Sequence, residues 1–255
     1  MNAIAAGLLW VVLTSAGLAV SALPRRWELG LGKRLGRLFL FVDPKRRAIA
    51  RDNMQHCLPE LGDEGWKKLL CENYEHYGIL ALELLHMFSP IPGHYRKYVL
   101  RIGVLDNFEH WKAAQAKGKG TILVTGHFAN WEAFGLAAIH GIPVIMATRK
   151  LKPEWLNAKI AAARLSLKVR TAYGKRILPT LIRQLKEGLS IGLVMDQYAP
   201  PPMGVPVKFF GAIVDTQAAV GLLVERTGAL IVPSYQRRDH NGIVHFVFEP
   251  ELALT

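Results

Sequence analysis

Thr121-Ile-Leu-Val-Thr-Gly-His-Phe-Ala-Asn-Trp-Glu132 is an apolar run that ends in a glycine and then delivers a histidine and a glutamate. Ile122, Leu123 and Val124 are β-formers in an unbroken apolar stretch, the pattern of a strand buried on both faces of a parallel sheet. Gly126 permits a sharp exit, and Trp131 to Ile139 then takes helical spacing. Side chains five residues apart on one continuous helix point about 140° away from each other. His127 therefore meets Glu132 only if His127 sits in the turn and Glu132 on the first helical turn. Strand, turn and helix in that order predict an α/β fold with its chemistry at the joint.

Imidazole titrates near neutrality and can take a proton from a hydroxyl, while an ionised carboxylate fixes its tautomer and steadies the imidazolium. Such a pair turns an alcohol into a nucleophile. The plainer alternative is that His127 caps the helix and Glu132 complements its dipole.

Gly126-His127-Phe128-Ala129-Asn130-Trp131-Glu132 resembles the His-x4-Asp/Glu block of the lipid A biosynthesis acyltransferases, the late or secondary acyltransferases of Gram-negative envelopes. Met195-Asp196-Gln197, Val205-Pro206-Val207-Lys208-Phe209-Phe210-Gly211 and Thr227-Gly228-Ala229-Leu230-Ile231-Val232-Pro233 are similar to that family's later blocks in order and approximate spacing. The resemblance runs from the N-terminal apolar segment almost to Thr255. It implies a mixed, mostly parallel sheet flanked by helices, like that of the glycerol-3-phosphate acyltransferases. It also implies a C-terminal segment beyond Thr255, past which the family usually continues.

By the same resemblance His127 and Glu132 are the catalytic pair and Asp196 is a further required residue. Arg164 matches the family's essential arginine by its distance from Glu132 and its place in a helix before Lys168-Val169-Arg170. Arg164 and Asp196 also fall next to predicted strands, where an open α/β sheet presents side chains to a crevice. The alternative for these two is a buried Arg–Asp pair that holds the scaffold.

The first charged side chain is Arg25, so Ala3 to Leu23 gives 21 uncharged residues. As a helix this segment would be about 31 Å long, enough to cross a bilayer's hydrocarbon core. A cleavable signal peptide is the competing reading, since Val20-Ser21-Ala22 is small enough for a cleavage site. Against it, no basic residue precedes the run, and the run exceeds the roughly 7–15 residues of a signal core. From Arg25 to Arg51 nine basic residues stand against Glu28 and Asp43, which predicts that this side of the membrane is cytoplasmic.

Trp27, Leu31, Leu35, Leu38 and Val42 fall on one helical face, with Lys33, Arg34 and Arg37 opposite. That is the pattern of a helix lying in the membrane interface, although Leu29, Leu40 and Phe41 blur it and a core-packed helix has similar spacing. The organisation expected is thus an anchor helix over residues 1–24, a basic interfacial segment over 25–60 and a catalytic domain over 61–255. The basic stretch carries +7 of the formal +12, and the remainder still favours acidic ligands.

Gly65 to Phe88 reads as a long helix. Its packed stripe comprises Trp66, Leu69, Leu70, Tyr77, Ala81, Leu84, Leu85 and Phe88, and Glu72, Glu75 and Glu83 mark its solvated side. Strands are expected over Ile142 to Ala147, around Lys168 to Thr171, over Leu189 to Met195, Leu230 to Tyr235 and Ile243 to Glu249. Helices are expected over Pro153 to Leu165, Lys175 to Glu187 and Asp215 to Arg226. The prolines between Tyr198 and Pro206 predict a loop, which with Phe209 and Phe210 could shape an acyl-chain groove or serve only as a rigid crossover.

Cys57 and Cys71 form no metal or redox motif, and no G-x-S-x-G, Walker loop or dinucleotide fingerprint appears. A metal on His127 and Glu132 would lack an evident third ligand, so neither metal nor cofactor is expected. Nucleic acid fits the basic charge but finds no recognition motif. The activity expected is transfer of a fatty acyl chain from an acyl carrier protein thioester to a hydroxyl of a phosphorylated glycolipid, a lipid A precursor, at the bacterial inner membrane. A related transferase acting on a glycerophospholipid, polyprenyl-linked sugar or ornithine lipid is the first alternative. A catalytically idle membrane-surface scaffold is the second.

Overall fold

The computed structural model describes residues 3–141, 144–173 and 177–253. Three helices open the chain: α1 (Ala3–Ser21), α2 (Arg25–Val42) and α3 (Pro44–Cys57). They are followed by the long α4 (Gly62–Leu85), α5 (His94–Ile102), β1 (Gly103–Asp106), α6 (Phe108–Ala116) and β2 (Thr121–Thr125). A 3₁₀ turn (Trp131–Phe134) leads into α7 (Gly135–Ile139), then β3 (Val144–Thr148), α8 (Glu154–Ser166), β4 (Val169–Tyr173), α9 (Leu178–Lys186) and β5 (Ser190–Val194). The chain closes with β6 (Gly204–Phe209), β7 (Ala212–Gln217), α10 (Ala219–Thr227), β8 (Leu230–Arg238) and β9 (Val244–Phe248).

Seven strands form one sheet in the order β1-β9-β8-β2-β5-β3-β4, parallel throughout except between β8 and β9. This is the mixed, mostly parallel α/β sheet flanked by helices that the sequence predicts. Successive residues of β2 show why its apolar run is unbroken. Leu123 packs with Trp111, Phe134, Phe246 and Phe248 under α5–α8, while Ile122 packs with Leu181, Leu185 and Leu223 under α9 and α10. Each face of the strand meets its own apolar layer.

α2 and α4 pack through a seam of small residues. Glu28, Gly32 and Gly36 are the buried positions of α2, and a Cβ on Gly32, Gly36 or Gly78 would collide with backbone of the facing helix. The close approach rests on missing side chains. With the packed face so small, Trp27, Leu31, Leu38, Phe39, Phe41 and Val42 are left exposed on α2. A core-packed helix would have buried them. α1 is also largely exposed and is long and apolar enough to cross a membrane.

The structure departs from the sequence reading in several places. β6 and β7 pair as a separate antiparallel hairpin with Phe209, Phe210 and Gly211 at its turn, so the expected loop ends at Gly204 and the expected helix begins only at Ala219. β-Branched residues in Ala212-Ile-Val-Asp-Thr-Gln217 outweigh the helical pattern there, and Pro206 is tolerated because the hairpin has no third strand to supply. Tyr77 and Ala81, placed in the packed stripe of α4, are both exposed. Glu83, placed on its solvated side, is fully buried, because Arg25 and Arg238 arrive from distant segments to pair with it. The predicted starts at Ile142 and Lys175 lie outside the described residues.

Candidate active site

β2 and β5 are adjacent and parallel, with Thr125 opposite Val194. The Met195 amide donates to the Thr125 carbonyl at 2.9 Å, so the two chains leave the sheet together. His127 and Asp196 each lie two residues past that register. Ligand crevices in open α/β sheets form at these carboxyl ends.

Asp196 grips His127 at two points. Its Oδ1 lies 2.8 Å from Nδ1 of the imidazole, and its Oδ2 accepts the His127 backbone N–H at 2.6 Å. A carboxylate oxygen facing Nδ1 selects the tautomer with its proton on Nδ1, so in the neutral ring Nε2 keeps its lone pair. Gly126 makes room for this grip, since a Cβ there would stand 2.9 Å from Asp196 Oδ2 and 2.6 Å from the Phe128 ring. Trp131 meets the imidazole edge-on, with ring centroids 4.9 Å apart, and restricts its rotation. The side chains of His127 and Asp196 remain 30% and 38% exposed, leaving a face of the pair open to an incoming molecule.

Glu132 faces elsewhere. Its two oxygens accept from Arg164 Nε at 2.8 Å and Nη2 at 2.6 Å, a bidentate pair with side chains only 11% and 9% exposed. Glu132 lies on the 3₁₀ turn, whose start Asn130 caps by accepting the Ala133 amide, and that turn addresses the last turn of α8. The contact expected between His127 and Glu132 is therefore made by Asp196. Arg164 and Asp196 do not pair with one another, so the scaffold alternative proposed for those two is also not what the structure contains. Burial works to lower the Arg164 pKa, but its bonds and charge attraction to Glu132 outweigh that and raise it. The guanidinium stays charged.

Two neighbours were not read from the sequence. Tyr95 of α5 is buried beside Glu132 and Arg164, and burial together with the Glu132 charge raises its pKa well above the usual phenol. The Ala129 backbone, two residues beyond His127, works to raise the pKa of His76 of α4 against the burial that lowers it. His76 sits in the helix whose stripe reads as ordinary packing, Tyr95 in a helix that the sequence reading did not identify, and no local motif marks either. Among the described residues no cluster of three or more metal-ligating side chains occurs.

A mostly parallel α/β sheet with a carboxylate-held histidine at its carboxyl rim, joined to a long apolar helix, fits a membrane-associated acyltransferase of the His-x4-Asp/Glu type. The chain belongs to the bacterial lipid A biosynthesis acyltransferase family, whose pattern matches residues 2–255. It is 27% identical over 243 residues to the lipid A biosynthesis lauroyltransferase of Escherichia coli (strain K12), covering 92% of this chain and 73% of that one. It is 26% identical over 227 residues to the lipid A biosynthesis palmitoleoyltransferase of the same organism, covering 87% and 72%. The phosphatidylinositol mannoside acyltransferase of Mycobacterium tuberculosis (strain CDC 1551 / Oshkosh) is 28% identical over 180 residues, covering 66% of this chain and 54% of that one.

Proposed function

We propose that the protein transfers a fatty acyl chain from an acyl carrier protein thioester to a hydroxyl of a lipid A precursor, by direct attack without an acyl-enzyme. The observation that carries this reading is the His127–Asp196 contact, which in the neutral ring leaves Nε2 as the free base of a partly exposed histidine. Nε2 takes the hydroxyl proton as the acceptor oxygen attacks the thioester carbonyl. The tetrahedral oxyanion then collapses, the C–S bond breaks, and the imidazolium returns the proton to the leaving sulfur. Asp196 balances the imidazolium charge at the moment it forms. Glu132 and Arg164 hold one another as a buried ion pair, and the guanidinium nitrogen that Glu132 does not use would be the group to meet an acceptor phosphate.

Residues 1–24 would anchor the protein in the inner membrane, 25–60 would lie along its cytoplasmic surface, and 61–255 would carry the chemistry. The exposed apolar residues of α2 and the basic excess between Arg25 and Arg51 support this placement. Acyl carrier protein is acidic and lipid A precursors are phosphorylated, so both suit a chain of net charge +12. A second acceptor class, a phosphatidylinositol mannoside, is favoured by the mycobacterial similarity alone.

Incubating the membrane-embedded protein with acyl carrier protein thioesters and each acceptor, with lipid mass spectrometry as the readout, tests this reading. Acylation of the lipid A precursor that disappears in His127→Ala is expected. Acylation confined to another lipid would move the assignment to that lipid, and a His127→Ala variant with undiminished rate would remove the histidine from the chemistry.

A further inference from the structure

The β6–β7 hairpin is rooted beside the catalytic pair, yet the acyl-transfer chemistry does not use its side chains. Tyr198, two residues past Asp196, bridges to Thr216, and the Ala199 amide donates to the Asp215 carbonyl at 3.1 Å. From Gly204 and Gln217 the strands pair as far as Phe209 and Ala212, and the chain turns through Phe210 and Gly211. Strands of this length carry the tip about 20 Å from the base.

Cross-strand partners share a face. The register therefore puts Val205, Val207, Val214 and Phe209 on one face and Lys208 and Ile213 on the other. All six are exposed, Phe209 to 59% and Ile213 to 69%. Exposed apolar patches mark protein or membrane contacts. A folded partner packing against a ribbon covers one of its faces, whereas lipid surrounds both.

Phe210 has φ of 46° and is 53% exposed, and its ring meets Phe209 edge-on with centroids 4.7 Å apart. Asn, Asp or Gly is the usual choice at such a turn. A bulky aromatic there costs backbone energy and gains little burial within the chain. The charge nearest the tip is Lys208, while Asp215 pairs with Pro206 nearer the base. A lysine beside exposed aromatics suits an anionic headgroup layer, its stem among apolar groups and its ammonium at the phosphates.

The amino-terminal half of α1 stands at the same rim. β3 runs parallel to β5 and β2, so α8, which follows the carboxyl end of β3, begins there. Trp155, on the first turn of α8, forms an apolar groove with Ala3, Ala6, Gly7 and Trp10 of α1. Ile4, Leu8, Val11 and Val12 of the same half-helix are exposed. Two apolar elements far apart in sequence thus emerge on the side of the sheet that carries His127 and Asp196.

We propose that the β6–β7 hairpin is a second membrane contact, its Phe209–Phe210 tip entering a phospholipid bilayer at the boundary of headgroups and acyl chains. Hairpin and α1 together would set the catalytic rim against the bilayer, so that a lipid hydroxyl reaches His127 from the membrane plane. The orientation rests on the reading of α1 as an anchor, which the experiment tests separately.

In the full chain carrying Cys57→Ser and Cys71→Ser, a nitroxide is attached at Phe210→Cys, Leu8→Cys or Lys119→Cys. The protein is placed in vesicles of equal parts phosphatidylcholine and phosphatidylglycerol. Lys119 is exposed and precedes β2 at the opposite end of the sheet, so it serves as the aqueous reference. Collisions with oxygen, which concentrates in lipid, and with a neutral nickel chelate, which stays in water, report immersion. The oxygen-to-nickel collision ratio at 210 should exceed that at 119 by about tenfold. Adding Phe209→Ser and Ile213→Ser should bring it to within about threefold of the reference. A ratio at 210 equal to that at 119 overturns the proposal. So does a label at 210 shielded from both reagents, the mark of a second copy or another protein segment covering the tip. Should Phe210→Cys not fold, a label at Ile213→Cys carries the same expectation. Lipid contact at 8 with water at 210 removes the hairpin and leaves the anchor, whereas lipid contact at 210 with water at 8 removes the anchor reading and leaves the hairpin contact.

Discussion

Asp196 Oδ1 lies 2.8 Å from His127 Nδ1 while its Oδ2 holds the backbone N–H of the same residue, so one carboxylate fixes both the ring and the chain that carries it. Replacing that carboxylate tests tautomer control without emptying the site. In Asp196→Asn an amide nitrogen facing Nδ1 would make it accept, move the ring proton to Nε2 and remove the base. The rate should fall about 10²- to 10⁴-fold with the melting temperature near that of the parent. A loss of less than about tenfold would mean that the tautomer is set elsewhere.

Gly126 tests the same contact through packing. In Gly126→Ala the new methyl would press on Asp196 and on the Phe128 ring. Activity should drop by about 10-fold or more while the fold persists, because a displacement near 1 Å is enough to spoil a base. Full activity in this variant would show that Asp196 can retreat without consequence.

Glu132 and Arg164 behave as a buried ion pair. Glu132→Gln strands a guanidinium that is only 9% exposed, and chemical denaturation should show a loss of about 3–5 kcal/mol. The double variant Glu132→Gln with Arg164→Met should recover part of that loss. A single variant that is fully stable yet inactive would instead place Glu132 against the reacting atoms.

Stability should fall on acidification because of His76. Burial, then the neighbouring Arg238 charge, pushes its pKa from the ordinary 6.5 down to about 4, against the opposing pull of Glu83 and Ala129. Between those values the unfolded chain binds a proton that the folded one refuses. The penalty therefore begins as pH falls through 6.5 and is complete near 4. Over that window the loss attributable to His76 should be about 3 kcal/mol, seen as a smaller acid-induced drop in melting temperature for His76→Gln. His94, also pushed down by burial and by His86, adds in the same direction. Equal acid sensitivity in parent and variant would contradict the assignment.

The glycine seam between α2 and α4 predicts a separate failure. A methyl at Gly78 would strike the backbone at Gly32 and Gly36. Gly78→Ala should cost at least about 1–3 kcal/mol and make α2 more susceptible to protease. An unaffected variant would mean the two helices do not pack as described.

The sequence by itself determined the elements whose signals are local. The apolar run ending at Gly126 specifies a buried strand and an exit, the uncharged segment before Arg25 specifies a long apolar helix, and the motif around His127 points to the family. Short-range pattern is enough there, because each signal depends on residues within a turn or two. Which charge meets which was decided only by tertiary structure. His127 takes Asp196 from 69 residues away rather than Glu132 from five, because β2 and β5 are neighbours in the sheet while the 3₁₀ turn faces α8. Glu83 reads as a solvated glutamate until Arg25 and Arg238 close on it, and His76 meets the Arg238 guanidinium only because β8 comes to lie beside α4. Burial and pairing of polar groups depend on what the rest of the chain brings to them, and no window along the helix contains that information.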